Sequence, residues 1–328
     1  MRSKNICFYS VVALLILSFL ELSAARGKHK KPQQRARSSK IVAFMQVRNE
    51  ENIIAQSLRC LLNYVDAMVI LDDASTDSTP FILMELQKEL PIVEIIFNKE
   101  SAWEAGRESD NQQQMLEAAR RAGGTHFIFM DADEIISANC LTNGYLRSFI
   151  LSLQPGEKAA LRFLNLWRSP YKYRSDKSPY GNGAYRPIIF CDYPGASYEQ
   201  SFLHGARYPE PLPGKLHQLP EQYVVLHFQF VNWNNLLAKQ AWYRCLEHVK
   251  GIQSVADINK RYRDSKNEKK ISLKRINTDW LSGYKNFDVA VYDLPVQWRT
   301  QQVNDWFDQY GKDFFKDLDI WDVNWENA

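Results

Sequence analysis

Cysteine is scarce in this chain, and what there is lies far apart. Cys7, Cys60, Cys140, Cys191 and Cys245 include no CxxC pair. That excludes a zinc knuckle and gives no disulfide framework. Cys60 and Cys140 sit in apolar contexts and read as core packing. A dominant charge is also missing. The formal net charge is +3, and much of the basic excess precedes residue 41. The folded part is therefore no electrostatic nucleic-acid binder. A full-length apolar span is lacking too, because the run Ile6 to Leu20 falls short of the ~20 residues a spanning helix needs.

What remains is ample for a globular chain: 328 residues, of which 45% are hydrophobic. Residues 1–25 read as a signal peptide or a membrane anchor, with Ser23-Ala24-Ala25 resembling a cleavage site. Two basic residues precede the apolar run and seven follow it, up to Lys40. By the positive-inside rule this expects membrane association with the folded domain in the cytoplasm, the alternative being export after cleavage. Residues 26–39 read as a basic linker.

From residue 40 the chain alternates strand and helix. KIVAFMQV, residues 40–47, is an apolar strand, and Ile53 to Val65 has helical spacing. Residues 67–71 form a second strand, ending in Asp72-Asp73-Ala74-Ser75-Thr76-Asp77-Ser78-Thr79-Pro80. Thr79 is expected as N-cap and Pro80 as the first helical residue. IVEIIF, residues 92–97, is a third strand. Ser109 and Gln112 have capping-box spacing and are expected to open the next helix, which Gly123-Gly124 ends. A fourth strand, HFIFM, runs straight into Asp131-Ala132-Asp133-Glu134.

This β-α-β-α-β-α-β order predicts an α/β fold with a mostly parallel sheet flanked by helices. Ligands of such sheets sit beyond the carboxyl ends of the strands. Three of the four ends carry acids: Glu50, Asp72/Asp73 and Asp131/Asp133. Asp131 and Asp133 are two apart, a spacing at which both reach one hard cation. Mg2+ or Mn2+ is expected, since both favour oxygen ligands and keep open positions for phosphates.

The order Asn49-Glu50-Glu51, then Asp72-Asp73-x-Ser-x-Asp-x-Thr, then Gly106 and Asn111, then Asp-Ala-Asp-Glu resembles the family-2 glycosyltransferases of the GT-A fold. The resemblance covers residues 40–136. It implies a nucleotide-diphospho-sugar donor held by Val47, Arg48, Asn49, Glu50, Asp72, Asp73, Asn111 and Asp131. Asp133 would be the principal metal ligand. The family has an Arg before the helical Asn; here Glu108-Ser109-Asp110 stands there, and Arg107 is the nearest substitute.

After Glu134 the alternation stops. Residues 159–167, 187–191 and 223–230 read as strands, and Asn232 to Val249 as a helix. The GT-A domain is expected over residues 40–235, with residues 40–136 binding donor and 137–235 acceptor. Residues 236–328 would be an aromatic-rich helical extension. The resemblance implies a general base in the acceptor half, for which Asp192, Glu199 and Glu210 are the candidates. In YVVLHFQF, His227 shares a face with Tyr223, Val225 and Gln229, and resembles the family's late metal ligand. The expected activity is metal-dependent, inverting sugar transfer to a glycan, lipid or protein acceptor. The rivals are a carbohydrate-binding protein on a degenerate transferase fold and a sugar nucleotidyltransferase. The latter would want a Gly-rich basic loop where Arg48-Asn49-Glu50 stands.

Overall fold

A computed structural model describes residues 38–102, 104–200, 205–263, 266–269 and 271–325. The expected leader, Cys7 and most of the basic linker lie outside the described residues. Residues 39–328 make one compact unit. Among the described residues no helix is long and apolar enough to cross a membrane.

The strands are β1 (Ile41–Val47), β2 (Ala67–Asp72), β3 (Ile92–Phe97), β4 (His126–Phe129), β5 (Glu134–Ile136), β6 (Lys158–Asn165), β7 (Lys172–Arg174), β8 (Tyr185–Cys191), β9 (Leu216–Gln218), β10 (Val224–His227) and β11 (Leu273–Arg275). The helices are α1 (Ile54–Leu61), α2 (Thr79–Gln87), α3 (Glu108–Arg121), α4 (Tyr145–Ser152), α5 (Trp233–Val249), α6 (Val255–Arg263), α7 (Asp279–Ser282) and α8 (Trp298–Tyr310). The main sheet runs β3-β2-β1-β4-β8-β6-β10-β5, with β9 beside the start of β6. β7 and β11 form a separate antiparallel pair.

β1 is central and covered on both faces, which is why it reads as an unbroken apolar run. Ile41, Ala43 and Met45 point into the core under α1 and α2, with Leu58 and Leu83. Val42 and Phe44 point the other way, into a core closed by Met115, Leu116 and Ala119 of α3. Phe44 packs on Phe127, Phe129 and Phe190 at ring distances of 6.0, 5.2 and 6.2 Å. Each such buried side chain contributes about 1.5–3 kcal/mol. α3 has Glu108 and Asp110 in its first turn and Arg120 and Arg121 in its last, matching the helix dipole. Gly124 lets α3 meet the sheet: a Cβ there would stand 2.5 Å from the Phe127 ring and 2.9 Å from Val42.

Strand direction decides what meets what. β1, β2, β3 and β4 are mutually parallel. β8 is antiparallel to both β4 and β6, and β10 is parallel to β6. The carboxyl ends of β1, β2, β4, β6 and β10 therefore share one edge of the sheet. Val47, Asp72, Asp131, Asn165 and His227 are brought there, while β8 ends at the opposite edge.

Three local expectations are corrected. The Thr79 hydroxyl does not cap α2; it accepts the Glu50 N–H at 2.8 Å, and Asp77 caps the helix by accepting the Thr79 N–H at 2.9 Å. Ser109 and Gln112 lie inside α3, buried at 3% and 2%, because the helix begins at Glu108. The strand expected to reach Phe230 stops at His227. The Phe228 N–H still donates to the Asp133 carbonyl at 2.9 Å, in register with β5, but the chain turns there into a short 3₁₀ helix.

Candidate active site

The loop after β2 is a scaffold for the loop after β1. Asn49 adopts φ 54°, a left-handed conformation that Asn tolerates. Its side-chain oxygen accepts the Thr76 N–H at 2.6 Å, and its own N–H donates to Ser75 Oγ at 2.8 Å. Asp73 is fully buried and accepts from Asn98, Ser101, the Ala102 N–H and Asn111 at 2.6–2.9 Å. Asn49, Asp73 and Asn111, expected on the donor, thus hold the loops in place. Asp73 also reaches a cavity wall. Asp73→Ala would leave buried amide donors unpaired, each costing about 1–3 kcal/mol. The expected result is a loss of about 3 kcal/mol, read from urea unfolding; a loss under about 1 kcal/mol would show the network to be dispensable.

Two adjoining cavities lie at the shared edge. One, of ≈ 200 Å³, is lined by Val47, Arg48, Asp73, Asp131, Trp242 and Tyr243. The other, of ≈ 220 Å³, is lined by Asn52, Asp77, Phe228, Gln229, Tyr292 and Gln297. Glu50, Asp133, Lys239, Trp298 and Arg299 line both.

The acidic turn after β4 is divided between partners. Arg207, from the segment before β9, donates to Asp131 at 2.5 Å and to both oxygens of Glu134 at 2.5 and 2.7 Å. Glu134, read earlier only as the end of the acidic run, is 2% exposed and opens β5. Asp133 faces elsewhere. Its Oδ2 lies 3.5 Å from His227 Nε2 and 3.5 Å from Lys239 Nζ. Burial alone would raise the Asp133 carboxyl. The Lys239 ammonium and His227 outweigh it and hold that carboxyl well below the usual range.

His227 Nδ1 is held by Asn165 Oδ1 at 2.9 Å, leaving Nε2 towards Asp133. Asp133, Glu134 and His227 each offer one ligand atom, all within 4.8 Å of one another. Glu134 is occupied by Arg207 on both oxygens, so the donor set that fits a cation is Asp133 with His227. Asp131 is committed through one oxygen to Arg207.

The C-terminal segment closes the other side. Asn232 and Asn235 donate to the carbonyls of Asp293 and Leu294 at 2.7 Å each. Tyr292 stacks on Phe228 at 3.9 Å. This seats Trp298 and Arg299, at the start of α8, over the cavities. Arg48 lies over the Trp298 ring at 5.5 Å and pairs with Glu104 at 2.8 Å. Arg299 stands 4.0 Å from Glu50.

Burial pushes the Glu50 carboxyl up to about 7; Arg299 offsets this in part, and the neighbouring Asp133 adds to it. The unfolded chain releases this proton near pH 4.5, while the folded chain keeps it to about 7. The folded state thus loses stability as pH rises through that window and is fully penalised above it. Glu50→Gln is expected to melt higher than the wild type at pH 8 and equally at pH 4.5. Equal melting temperatures at both pH values would refute the assignment.

The remaining expected residues lie elsewhere. Asp72 lines neither cavity; its Oδ2 accepts the Ser75 N–H at 3.0 Å, and its Oδ1 is buried with no partner among the described residues. Arg107 is 53% exposed beside Asp110 and does not substitute for the family's Arg at a cavity wall. Asp192 follows β8 and so sits at the far edge, gripped by Arg120 at 2.7–3.2 Å. Glu199 and Glu210 are exposed, and Glu210 caps the Leu212 N–H. None of these three lines either cavity. Sequence reasoning missed Arg207, Lys239, Trp298, Arg299 and Glu104. Each lies in a segment whose place in space no local pattern announces.

Acids at the ends of parallel strands, an acidic turn with a held imidazole and a two-part cleft thus meet at one edge of the sheet. Residues 43–146 match the family described as Glycosyl transferase family 2. No curated protein matches. Among solved structures, S. aureus TarS 1-349 is 14% identical, with TM-score 0.38, over 85% of this chain and 81% of that one. The same protein in complex with UDP is 14% identical, with TM-score 0.37, over 85% and 83%. Mannose-1-phosphate geranyltransferase from Thermus thermophilus is 12% identical, with TM-score 0.28, over 47% and 50%.

Proposed function

We propose that this chain moves a sugar from a nucleotide-diphospho-sugar donor to a hydroxyl acceptor, using a divalent cation at Asp133 and His227. The observation that carries the reading is the position of Asp133. It stands at the junction of both cavities, with a held imidazole and the Lys239 ammonium each 3.5 Å away. A bound Mg2+ or Mn2+ supplies Lewis-acid neutralisation of the leaving diphosphate.

The protein's own residues do the rest. Val47, Arg48 and Glu50 wall the cavity in which the nucleoside sits. Arg207 keeps Asp131 and Glu134 from repelling one another and fixes the turn that aims Asp133. Asn165 sets the His227 ring, as an acceptor behind a metal-bound imidazole does. Trp298 and the C-terminal segment exclude water from the junction. Inversion is the outcome the family resemblance implies. The basic asymmetry around Ile6 to Leu20 supports a domain on the cytoplasmic side, where a carboxyl-terminal reporter would be active.

The test is donor hydrolysis with a panel of nucleotide sugars, with Mn2+, with Mg2+ and with chelator. Release of nucleoside diphosphate from one donor, lost in chelator, is expected. Release from none of them with either metal would remove the transferase reading and leave a carbohydrate-binding protein on this fold.

A further inference from the structure

Arg299 is an oddly placed cation. Its side chain is only 12% exposed, yet its one ion pair among the described residues, to Glu50, is stretched to 4.0 Å. Its guanidinium lies over the Trp298 ring at 4.5 Å, which satisfies no N–H. Arg299 Nε is buried with no hydrogen-bond partner among the described residues. Trp298 Nε1 and Arg48 Nε are in the same condition. All three residues line the cavity that also contains Asp131 and Asp133.

Buried donors without acceptors cost about 1–3 kcal/mol each, and native proteins rarely leave them so. Three lining one cavity imply a ligand rich in acceptor oxygens. Two belong to guanidinium groups, so the ligand is anionic; planar N–H forks match phosphate oxygens. Lys239 adds a third positive charge on the same cavity. The acids present cannot be the intended partners: Glu50 is out of hydrogen-bond reach of Arg299, and Glu104 is already taken by the Arg48 NH2.

Resting on the donor reading above, we propose that Arg299 and Trp298 Nε1, with Arg48 opposite, form the subsite for the phosphoryl oxygens of a nucleoside diphosphate. The C-terminal extension then supplies part of the donor site rather than only packing against it. Arg299 carries charge to the leaving group from the side of the cleft opposite Asp133's strand.

The test is calorimetric binding of uridine and guanosine diphosphates and of their parent nucleosides, with MgCl2 and with chelator. Variants are Arg299→Gln, Arg299→Lys and Trp298→Phe, the last keeping a ring under Arg299 and removing only the N–H. Each is checked by thermal melting. The wild type is expected to bind one diphosphate more tightly than its nucleoside. Arg299→Gln should weaken the diphosphate at least tenfold and leave the nucleoside unchanged, in both metal conditions. Arg299→Lys should recover part of the loss, and Trp298→Phe should weaken the diphosphate several-fold. A folded Arg299→Gln, or a folded Trp298→Phe and Arg299→Lys, binding the diphosphate like the wild type would overturn the subsite alone. A wild type that binds neither diphosphate would sink the donor reading and the subsite with it.

Discussion

Replacing Asp133 by Asn is expected to reduce sugar transfer by at least about a hundredfold, the scale of losing one electrostatic group aimed at developing charge. The side chain keeps its shape, so the fold should persist. Its carboxylate faces His227 and Lys239, whereas Asp131 and Glu50 each face an arginine. Asp131 cannot take over, because Arg207 holds it at 2.5 Å. The measurement is turnover at saturating Mn2+ and at saturating Mg2+, with circular dichroism as the control for folding. Wild-type turnover in either condition would take Asp133 out of the chemistry.

Replacing Arg207 by Met is expected to cost about 3–5 kcal/mol of stability. The reason lies in Glu134, whose side chain is fully buried and whose two oxygens both rest on Arg207. Removing the guanidinium strands a carboxylate in the core and frees Asp131 at the same time. Adding Glu134→Leu to Arg207→Met should restore much of the loss, since an apolar pair can replace a buried ionic one at little cost. Urea unfolding of the wild type, both single variants and the double variant measures the coupling. If Arg207→Met costs less than about 1 kcal/mol, the pair is no stabilising clamp.

Most of residues 40–136 was legible in the sequence because the signals there are local. β1 to β4 are apolar runs closed by acids or turns, and their helices repeat at 3.6 residues. Direction did the rest: parallel strands put Glu50, Asp131 and Asp133 at one edge without any knowledge of side-chain contacts. The errors arose where a distant group outbid a local preference. Thr79 looked like a cap, but the Glu50 N–H claimed its hydroxyl. YVVLHFQF keeps alternating past His227, but after one more rung with Asp133 the chain winds into a 3₁₀ turn at Phe228. Asp192 looked like a loop acid in the acceptor half; an antiparallel β8 carried it to the wrong edge. Arg207, Lys239 and Arg299 come from three segments with no shared spacing. Their convergence depends on how β10 and α5 turn the chain back over the acids, and periodicity does not encode that.

The wall carrying Trp298 and Arg299 has a consequence for biosynthesis. Those residues emerge from the ribosome about 165 positions after Asp133, and after Arg207, His227 and Lys239, so the acids have their partners before they have this wall. The nascent sheet holds its ligands in register long before the cleft exists, and domains generally fold as units during synthesis. Closing the cleft is a late, long-range event, with the entropy of a long intervening chain to overcome. A chain released before Trp298 would display the complete set of strand-end acids on an open ledge. Such a chain would lack the Trp298 and Arg299 wall of both cavities.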